Sequence, residues 1–419
     1  MKVLVVGGGG REHAIVWKLS QSPRISDLYC APGNGGIGGI ARCIDIEATD
    51  IESMVQFARD QSIDLVVVTP DDPLALGMVD AMAEAGIKAF GPNKNAAIIE
   101  SSKVFAKDLM KKYDIPTGEY RVFSCYNEAL DYIRESEFPL VVKADGLALG
   151  KGVIIAEHFD EARDAIREIM IEKVFGGAGN QVVIEEFLMG QEVSLLAFSD
   201  GHTTVPMVSS QDHKRAFDKD EGPNTGGMGA FSPSRVYTPE IAHIVETTML
   251  QPTIDAMNEE GRPFKGVLFL GLILTEDGPK LLEYNARFGD PETQVVLPRL
   301  RTDLLDILLA VVDERLDEID IEWEDNAAAC VVMASGGYPG SYDKGYPIHG
   351  LQNLDDREGV MVFHAGTRGD RDQYFTHGGR VLGITSVAGD LDKAIQKAYK
   401  SVDLIKFKDM HYRRDIGIK

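Results

Sequence analysis

A short apolar run at residues 3–6 passes directly into four glycines and then into a helical pattern, the layout of a strand, a tight turn and a helix. Three more apolar runs follow, separated by helical spacing and by turn residues such as Gly91-Pro92; they lie at residues 28–31, 63–68 and 87–90. Parallel strands need crossover connections of this kind. We therefore expect a parallel α/β domain over residues 1–100.

The rest of the chain predicts further domains, because 419 residues exceed the size at which a single core stops growing. Strand and helix patterns indicate a small α+β lid at about residues 120–190, inserted in a domain that covers residues 101–324. Residues 265–285 predict a hairpin that turns at Glu276-Asp277-Gly278. Later strands and a final helix predict a C-terminal domain over residues 325–419. The expected fold class is α/β and α+β, in several domains.

Charge and hydropathy narrow the classes of partner. The chain has 43 Lys plus Arg against 66 Asp plus Glu, a net charge of −23, which disfavours nucleic acid and acidic membrane surfaces. No apolar run approaches the roughly 20 residues that span a bilayer. Residues 1–6 leave no room for a signal peptide, and the four cysteines form no CxxC motif. We expect a cytoplasmic protein in which any anionic ligand binds a local basic cluster.

The first glycine-rich loop, Gly7 to Gly10, is followed by Arg11 and opens a helix, where backbone amides and the helix dipole bind phosphate. It is not a dinucleotide fingerprint, because Glu12 or His13 falls at the position of the third glycine. Two interpretations stay open: a site for a single phosphate group, or a tight turn with solvated charges.

The second glycine-rich loop, residues 145–152, joins two predicted strands. It fails the Walker A test, because three residues rather than four separate Gly146 from Gly150 and because Gly152 replaces the Ser or Thr. A hairpin lid over phosphates fits better. Lys143 lies on the apolar strand before the loop, and a buried lysine needs a charged partner. That partner is either an ATP phosphate or a carboxylate elsewhere in the chain.

Two acidic residues, Glu185 and Glu186, end the next apolar strand and are followed by a short connector at residues 187–190. Acceptors and exposed backbone groups at such a connector can pair with the edge of an adenine. Ordinary strand ends also carry Glu, so this segment alone does not decide the function.

The segment at residues 282–292 predicts a metal site. Side chains two apart on a strand share a face, so Glu283, Asn285 and Arg287 should point the same way, while Leu281 and Tyr284 supply the buried face. Two oxygen ligands suit Mg²⁺ held between protein and nucleotide phosphates. Arg287 would neutralise charge on a transferred phosphoryl group. The alternative is the polar outer face of an antiparallel strand.

Residues 211–215 and 223–229 fall in one glycine-rich, charged stretch. Lys214 and Arg215, with nearby backbone donors, predict an anion site despite the acidic surface. A solvated loop is the alternative. No Ser-His-Asp arrangement, thiolate setting or zinc spacing competes for the chemistry.

In this order, the segments resemble the phosphoribosylamine-glycine ligase family, the glycinamide ribonucleotide synthetases of the ATP-grasp superfamily, over residues 1–417. Arg287-Phe288-Gly289-Asp290-Pro291-Glu292-Thr293-Gln294 is similar to the family signature. Residues 211–215, residues 225–229 and the closing Arg413-Arg414-Asp415-Ile416-Gly417 are similar to its other blocks. The resemblance implies an ATP-grasp fold with a parallel α/β N-terminal domain, a lid subdomain and a C-terminal domain.

The resemblance also implies the reaction. ATP phosphorylates the carboxylate of glycine, and the amine of 5-phosphoribosylamine attacks the glycyl phosphate to give glycinamide ribonucleotide, ADP and phosphate in de novo purine biosynthesis. A carboxylate is a poor electrophile until its oxygen becomes a phosphate leaving group, after which positioning and electrostatics suffice. The implied ligands are ATP, glycine, 5-phosphoribosylamine and Mg²⁺ or Mn²⁺. The expected assembly is a monomer or weak dimer.

Matched position by position, the resemblance implies roles for individual residues. Glu283 and Asn285 would bind the metal, and Arg287, Lys143 and Asp212 would take part in catalysis. The ATP-binding positions are Lys103, Lys143, Gly146, Gly150, Lys151, Gly152, Glu185, Glu186, Leu188 and Glu192. The positions for glycine and 5-phosphoribosylamine are Gly9, Gly10, Arg11, Asp71, Asp212, Lys214, Thr225, Gly226, Gly227, Met228, Arg287 and Asp290.

Two segments depart from the family pattern. Thr69-Pro70-Asp71 stands where the family usually has Gly-Pro-Glu, and Leu149 stands where the lid loop usually has a small residue. Two alternatives to this ligase are an ATP-grasp enzyme for another acid or amine, and a silent nucleotide-binding protein. A silent protein has no reason to keep Glu283, Asn285 and both lysines, Lys103 and Lys143.

Overall fold

The computed structural model describes residues 1–148, 152–354, 357–370 and 373–418, apart from the side chain of Asp370. These residues form six sheets with their helices. No helix within the described ranges is long and apolar enough to cross a membrane. The four thiols form no disulfide; Cys30 and Cys330 are buried, whereas Cys43 and Cys125 are exposed.

The N-terminal residues form the parallel sheet that the sequence predicts. Its elements are β1 (Lys2–Gly7), α1 (Gly10–Leu19), β2 (Asp27–Pro32), a 3₁₀ turn (Ile37–Gly39), β3 (Arg42–Cys43), α2 (Ile51–Gln61), β4 (Leu65–Val68), α3 (Asp71–Leu76), α4 (Met78–Glu84), β5 (Lys88–Phe90) and α5 (Lys94–Ser101). The strand order is β3-β2-β1-β4-β5. Every residue of β4 is buried, as expected for a parallel strand covered on both faces. The carboxyl ends of β1 and β4 carry Gly7 and Thr69 to the same edge.

The next part is a small antiparallel sheet backed by two helices. Its elements are β6 (Tyr120–Phe123), α7 (Tyr126–Arg134), β7 (Leu140–Ala144), β8 (Val153–Ala156), α8 (Phe159–Met170), a 3₁₀ turn (Gly176–Asn180) and β9 (Val182–Glu186), preceded by α6 (Lys103–Lys112). The strand order is β6-β9-β7-β8. Ala162, Ile166 and Ile169 recur at helical spacing on α8 and are buried against the sheet. This subdomain, which we call the lid, has its own apolar core.

The central sheet is antiparallel and contains the predicted hairpin. Its elements are β10 (Gln191–Asp200), β11 (Thr204–Pro206), α9 (Pro239–Val245), a π turn (Glu246–Leu250), α10 (Gln251–Glu259), β16 (Lys265–Thr275), β17 (Gly278–Asn285), α11 (Thr293–Val296), 3₁₀ turns (Leu297–Arg299 and Leu316–Glu318) and α12 (Leu304–Val312). The strand order is β11-β10-β16-β17. Leu282 is an extra residue in β17, because Glu283 pairs with Gly271 while Leu281 pairs with Leu272. This bulge buries both Leu281 and Tyr284, although they are three positions apart.

The C-terminal sheet includes two strands, β12 (Gln211–Asp212) and β15 (Gly229–Ser232), that come from the middle of the chain. The remaining elements are β12 (Gln211–Asp212), β13 (Arg215–Phe217), a 3₁₀ turn (Asp218–Asp220), β14 (Glu221–Asn224), β15 (Gly229–Ser232), β18 (Ala327–Ala334), β19 (Pro347–Ile348), a 3₁₀ turn (Leu351–Asn353), β20 (Val360–His364), β21 (Thr367–Asp370), β22 (Gln373–Thr376), β23 (Arg380–Ala388) and α13 (Leu391–Val402). Its strand order is β12-β15-β18-β23-β20. A β13-β14 pair and a β19-β22-β21 sheet stand beside it.

Candidate active site

A cleft of about 1200 Å³ lies where the domains meet. Its walls come from the N-terminal domain, the lid, the central sheet and the C-terminal domain. Most residues that the sequence marked for function line it: Arg11, Asp71, Lys103, Lys143, Gly152, Glu185, Glu186, Leu188, Glu192, Asp212, Lys214, Thr225, Gly226, Glu283, Asn285, Arg287 and Asp290. The fold therefore brings positions from distant parts of the chain to one cavity.

Five other marked positions are not among the residues that line the cleft: Gly9, Gly10, Gly146, Gly227 and Met228. Met228 is fully buried, and its amide donates to the carbonyl oxygen of His213 at 2.8 Å. Gly227 has a φ of 108°, and a side chain there would meet Pro291 and Asp212. Its lack of a side chain is thus needed for close packing. Gly150, Lys151 and the departure at Leu149 lie outside the described residues.

Lys143 meets a carboxylate of the chain, one of the two partners expected for it. Its Nζ lies 2.9 Å from Oε1 of Glu185 and donates to the carbonyl oxygen of Leu282 at 3.3 Å. Lys107 Nζ lies 2.9 Å from the other oxygen of Glu185 and donates to the Thr117 hydroxyl at 2.8 Å. Lys143, Lys107 and Glu185 are all buried. Two ammonium groups around one carboxylate leave a positive charge at the cleft, which suits a triphosphate.

The protonation of this trio reflects burial and mutual attraction. Burial opposes ionisation of Glu185, but Lys143 and Lys107 outweigh it and hold its pKa below the ordinary value. Burial lowers the pKa of Lys107 to about 8, although Glu185 opposes that shift. The sequence analysis missed a role for Lys107. The signal was its position four residues after Lys103, which places both on one face of α6.

The start of α6 is tied to the lid loop. The carboxylate of Asp145 accepts hydrogen bonds from the Ser102 hydroxyl at 3.0 Å and from the amide of Val104 at 3.1 Å. Lys103 Nζ donates to the carbonyl oxygen of Gly146 at 3.0 Å. The predicted phosphate-binding lysine and the predicted phosphate-covering loop are therefore in contact.

Glu283 is the carboxylate best placed for a cation. Within the described ranges, its side chain makes no hydrogen bond or ion pair. Four cationic groups act on its charge: Lys214, Lys143, Lys103 and Arg287. Burial opposes ionisation of Glu283, but these cations hold its pKa below the ordinary value, so it offers anionic oxygens. Asn285 presents Oδ1 beside it, 3.3 Å from Nη2 of Arg287.

This donor set fits Mg²⁺ or Mn²⁺ shared with a nucleotide. No group of three or more His, Cys, Asp or Glu side chains that could hold a metal ion occurs in the described part of the chain. A cation beside Glu283 would thus take most of its ligands from elsewhere. Mg²⁺ commonly binds in this way, through one or two protein carboxylates and the phosphates of a substrate.

Arg287 is held in position by Glu100. Its Nη2 lies 3.0 Å from one oxygen of Glu100, and the other oxygen accepts from the amide of Ala286 at 2.7 Å. Arg287 Nη1 donates to the carbonyl oxygen of Phe288 at 3.1 Å. Burial raises the pKa of Glu100, while Arg287 opposes that shift. The sequence analysis missed Glu100, because nothing in its local pattern marks it.

The N-terminal glycine loop is closed on itself by Glu12. One carboxylate oxygen accepts from the amide of Gly9 at 2.6 Å, and the other lies 2.5 Å from Nε of Arg11. The Thr69 hydroxyl is 2.8 Å from the same carboxylate. The helix amide that a phosphate could use is therefore occupied by the protein's own carboxylate. Thr69, one of the departures from the family pattern, holds that carboxylate in place.

A corner of the cleft contains two carboxyl groups, Asp212 and Glu292. Burial and the neighbouring Glu292 raise the pKa of Asp212 well above its ordinary value, and burial raises that of Glu292. Ser194 donates its hydroxyl proton to Glu292 at 3.0 Å. Oδ1 of Asp212 is buried, with no hydrogen-bond partner among the described residues. When such a group is ionised, its raised pKa makes it a stronger base than an ordinary carboxylate, so it can take up a proton from a bound amine.

Two ion pairs border this corner. Lys214 Nζ lies 2.8 Å from a carboxylate oxygen of Glu192. Lys214 was expected to bind the substrate and Glu192 to bind the ribose of ATP, so this ion pair connects the two expected sites. Arg380 Nη2 lies 3.2 Å from Asp290, and its Nη1 donates to the carbonyl oxygen of Gly226 at 2.5 Å. Arg380 begins β23 in the C-terminal domain, where no motif of the sequence marked it.

Comparison with known proteins places this cleft in context. Family models described as phosphoribosylglycinamide synthetase match the chain in three parts: an N domain at residues 1–100, an ATP-grasp (A) domain at residues 101–293 and a C domain at residues 328–419. Together they cover most of the chain.

Curated relatives match over the full length. The chain is 48% identical over 417 residues to a phosphoribosylamine–glycine ligase of Caldanaerobacter subterraneus subsp. tengcongensis, covering 100% of this chain and 99% of that one. It is 48% identical over 419 residues to the enzyme of that name from Halalkalibacterium halodurans, covering 100% and 97% of the two chains.

Solved structures agree at the level of the fold. A crystal structure of phosphoribosylamine–glycine ligase from Thermotoga maritima superimposes with a TM-score of 0.87 at 32% identity, covering 100% of both chains. The biotin carboxylase domain of 2-oxoglutarate carboxylase from Hydrogenobacter thermophilus, solved with magnesium-ADP and bicarbonate, has a TM-score of 0.75 at 15% identity over 98% of this chain and 91% of that one. The second likeness concerns the fold alone.

Proposed function

Because this chain belongs to the phosphoribosylglycinamide synthetase family, we propose that the cleft is its active site, with Glu283, Arg287 and Lys143 around the transferred phosphoryl group. The protein is an ATP-dependent ligase that joins glycine to 5-phosphoribosylamine in de novo purine biosynthesis. The products are glycinamide ribonucleotide, ADP and phosphate.

The reaction passes through glycyl phosphate. In the first step, a carboxylate oxygen of glycine bonds to the γ-phosphorus as ADP leaves. In the second, the amine of 5-phosphoribosylamine forms the carbon–nitrogen bond as phosphate leaves, and the nitrogen loses a proton. In both steps, charge develops in a site from which water is excluded. The protein must therefore hold cations and proton acceptors in place next to the reacting atoms before the reaction begins.

The nucleotide half of the cleft lies between the lid and the central sheet. Lys103, Lys107 and Lys143 are the cations for the ATP phosphates, and Glu185, held by the last two, keeps them in place. Glu186 and Leu188 border the adenine on the connector after β9. The tie between Lys103 and the lid loop supports this assignment, since it brings the loop over the phosphate cations.

Glu283 and Asn285 are the residues for Mg²⁺ or Mn²⁺. Such an ion would supply Lewis-acid chemistry at this position, because it would neutralise negative charge on the phosphoryl group being transferred. Glu283 is suited to this role because it stays ionised and has no ion-pair partner in the described part of the chain. Arg287, aimed by Glu100, stands at the edge of the same site.

The half for glycine and 5-phosphoribosylamine lies between the N-terminal and C-terminal domains. Arg11, Lys214, Thr225 and Asp290 line it. Asp212 is the acceptor for the proton that the attacking amine loses, because its raised pKa and unpaired buried oxygen suit proton uptake. A cytoplasmic location and a monomeric or weakly dimeric state stay predictions.

The observation that carries the site assignment is the convergence of four cationic groups on Glu283. The direct test is ADP formation from ATP, Mg²⁺, glycine and 5-phosphoribosylamine generated from ribose 5-phosphate and ammonia, with detection of glycinamide ribonucleotide. We expect Glu283→Ala to lower kcat by about a hundredfold or more, since a metal-bound charge is lost from the transition state. Mg²⁺ titrations should show the loss of a binding site.

The matched control is Glu276→Ala, an exposed glutamate in the turn of the same hairpin. It should leave kcat and the Mg²⁺ dependence unchanged. If Glu283→Ala were as active as the parent, the proposal that Glu283 binds the metal ion would be wrong. ADP release with another acid or amine, but not with glycine and 5-phosphoribosylamine, would contradict the substrate pair while leaving the ATP site standing.

A further inference from the structure

The hairpin formed by β13 and β14, residues 215–224, connects two pieces of the substrate half. Lys214 precedes it and Thr225 follows it. The amide and the hydroxyl of Thr225 both donate to the carbonyl oxygen of Lys214 at 2.8 Å. A tilt of this 215–224 hairpin would therefore move both residues on the cleft wall.

The tip of the hairpin, residues 218–220, contacts the segment at residues 411–417. The amide of Arg414 donates to Asp218 at 2.7 Å, and the amide of Lys219 donates to Asp415 at 2.8 Å. Lys219 and Asp220 adopt left-handed backbone angles, with φ values of 61° and 56°. The tip thus has a defined conformation that external hydrogen bonds hold.

Arg413 is the centre of this contact. Its side chain is 0% exposed, and Nη2 lies 2.9 Å from Asp220 at the hairpin tip. Nη1 donates to the carbonyl oxygen of Arg215 at 3.1 Å. Nε and Nη2 each donate to Asp415 at 2.8 Å. A guanidinium fork can serve these partners together, whereas the single ammonium group of a lysine cannot reproduce that geometry.

The 411–417 segment is itself anchored to the C-terminal domain. The Tyr399 hydroxyl on α13 donates to the carbonyl oxygen of Arg413 at 3.0 Å and accepts from the amide of Ile416 at 2.9 Å. His411 and Ala334 exchange backbone hydrogen bonds at 2.7 and 2.8 Å. Arg413 therefore connects a fixed support to the 215–224 hairpin.

We propose that Arg413 is a positioning residue for the substrate half of the cleft. It does not line the cleft. By holding Asp220 and the backbone of Arg215, it sets the 215–224 hairpin and thereby aims Lys214 and Thr225 at the bound glycine and 5-phosphoribosylamine. The inference rests on the proposed function, because it needs these two residues at the substrate.

Two variants test the proposal at opposite ends of the contact, Arg413→Lys and Asp220→Ala. Each should lower kcat/KM for glycine or 5-phosphoribosylamine by about tenfold, since small displacements of positioning groups cost this much or more. The dissociation constant for ADP with Mg²⁺ should stay within about twofold of the parent, because the hairpin meets the nucleotide half through the partly exposed ion pair of Lys214 with Glu192, and exposed ion pairs contribute little. The double variant should be no worse than the worse single variant.

Lys219→Ala is the matched control at the same tip, because Lys219 contributes only its backbone amide to the contact. It should leave every constant unchanged. The proposal is wrong if Asp220→Ala keeps the parental kcat/KM for both substrates, or if nucleotide affinity falls together with kcat/KM. Asp220 lies at the exposed end of its ion pair with Arg413. Asp220→Ala therefore tests the proposal even if Arg413→Lys does not fold. A parent without ligase activity would instead contradict the proposed function.

Discussion

Glu100 holds Arg287 from one side while binding the amide of Ala286 with its other oxygen. Glu100→Gln keeps the shape and the acceptor for the amide, but it removes the charge that attracts the guanidinium. We expect kcat to fall by about tenfold to a hundredfold, because Arg287 is less firmly aimed at the phosphoryl group. KM for ATP should change less than kcat. Steady-state kinetics with each substrate varied measure both effects.

Glu84→Gln is the control for that variant. Glu84 is exposed at the end of α4 and makes no hydrogen bond or ion pair with its side chain within the described residues. It should match the parent in kcat. A Glu100→Gln enzyme with parental kcat would show that the orientation of Arg287 does not depend on this carboxylate.

Lys107 is the group through which we expect the free enzyme to respond to pH. Its pKa is lowered to about 8 by burial, so its positive charge is present below about pH 8 and is lost as the pH rises through that value. The profile of kcat/KM for ATP reports groups of the free enzyme. We expect kcat/KM for ATP to fall above about pH 8, because an uncharged Lys107 attracts the triphosphate less and releases its hold on Glu185.

Lys107→Arg tests that assignment, because a guanidinium stays charged throughout this range. The alkaline fall should move to higher pH in Lys107→Arg, while it should stay in place in Lys111→Arg, a variant of an exposed lysine on the same helix. An unchanged fall in Lys107→Arg would assign the titration to another group.

The sequence marks a residue for a function only where the signal is local. Glu283 and Asn285 stand out because they share a face of the strand that leads directly into Arg287 to Gln294, the segment similar to the family signature. Glu100 and Arg380 give no such signal, because their partners, Arg287 and Asp290, lie far away along the chain. The tie between Glu12 and Thr69 is of the same kind, since the two residues meet only when β1 and β4 pair.

At the scale of elements, α1 and β20 meet through two buried histidines. The amide of His364 donates to Nδ1 of His13 at 2.8 Å. Burial and the nearby His364 lower the pKa of His13 to about 3, and burial lowers that of His364 to about 4. Both rings are therefore neutral in the folded protein at neutral pH. Their contact joins the N-terminal and C-terminal domains.

This contact predicts a loss of stability in mild acid. In the unfolded chain both histidines regain a pKa of about 6.5. Below that pH the unfolded state binds protons that the folded state does not, so the free energy of unfolding falls as the pH drops, by about 1.4 kcal/mol per pH unit for each histidine. Above about pH 6.5 the contribution is complete and constant. Denaturant unfolding at pH 7.0 and 5.5 measures the difference.

His13→Gln should reduce the dependence on pH, because one of the two depressed groups is gone. His243→Gln, which changes an exposed histidine on α9, should keep it. If His13→Gln and the parent lose the same free energy between these pH values, the histidine pair is not the cause.

The sequence predicts the strands and turns that local residues determine, but not the features that depend on pairing with a distant strand. The parallel strands and the β16-β17 hairpin follow from local apolar runs and turn residues. The bulge at Leu282 does not, because it depends on pairing with Gly271 and Leu272 across the sheet. The stretch at residues 211–229, for which a solvated loop was the alternative, enters the C-terminal sheet at its two ends through β12 and β15. Between them, β13 and β14 pair with each other. That pairing partner is a distant part of the chain.

At the scale of the whole molecule, the cleft exists only because separate domains surround it. The multidomain ATP-grasp fold expected from the sequence is confirmed by the family models and by the superposition on the Thermotoga maritima enzyme. The relative placement of the domains could not be read from the sequence, since it depends on contacts such as Arg380 with Asp290 and His13 with His364. The motifs themselves identified the family without that information.

The lid has two features of a unit that can unfold separately from the rest of the molecule. Its apolar core, which includes Ile166 of α8 and Ile184 of β9, is separate from the cores of the other domains. Several of its links to the rest are polar: Lys103 with Gly146, Lys280 with Glu186 at 3.6 Å, and Tyr120 with Asp108 at 2.7 Å. A unit with its own core and polar attachments can unfold before the remainder.

Nucleotide should therefore change how the molecule unfolds. We expect calorimetry of the free protein to show a lower transition for the lid and a higher one for the rest. In the proposed site, ADP with Mg²⁺ would contact both the lid and the central sheet, so it should raise the lower transition until the two merge. A ligand at a hundred times its dissociation constant adds about 2.7 kcal/mol to the folded state. Ile166→Val, in the core of the lid, should lower only the first transition. Ile254→Val, on α10 in the core of the central sheet, should lower only the second. Each such change costs about 1 kcal/mol. A single transition that both variants lower equally would mean that the lid and the central sheet unfold as one unit, and that nucleotide stabilises an interface which is already rigid without it.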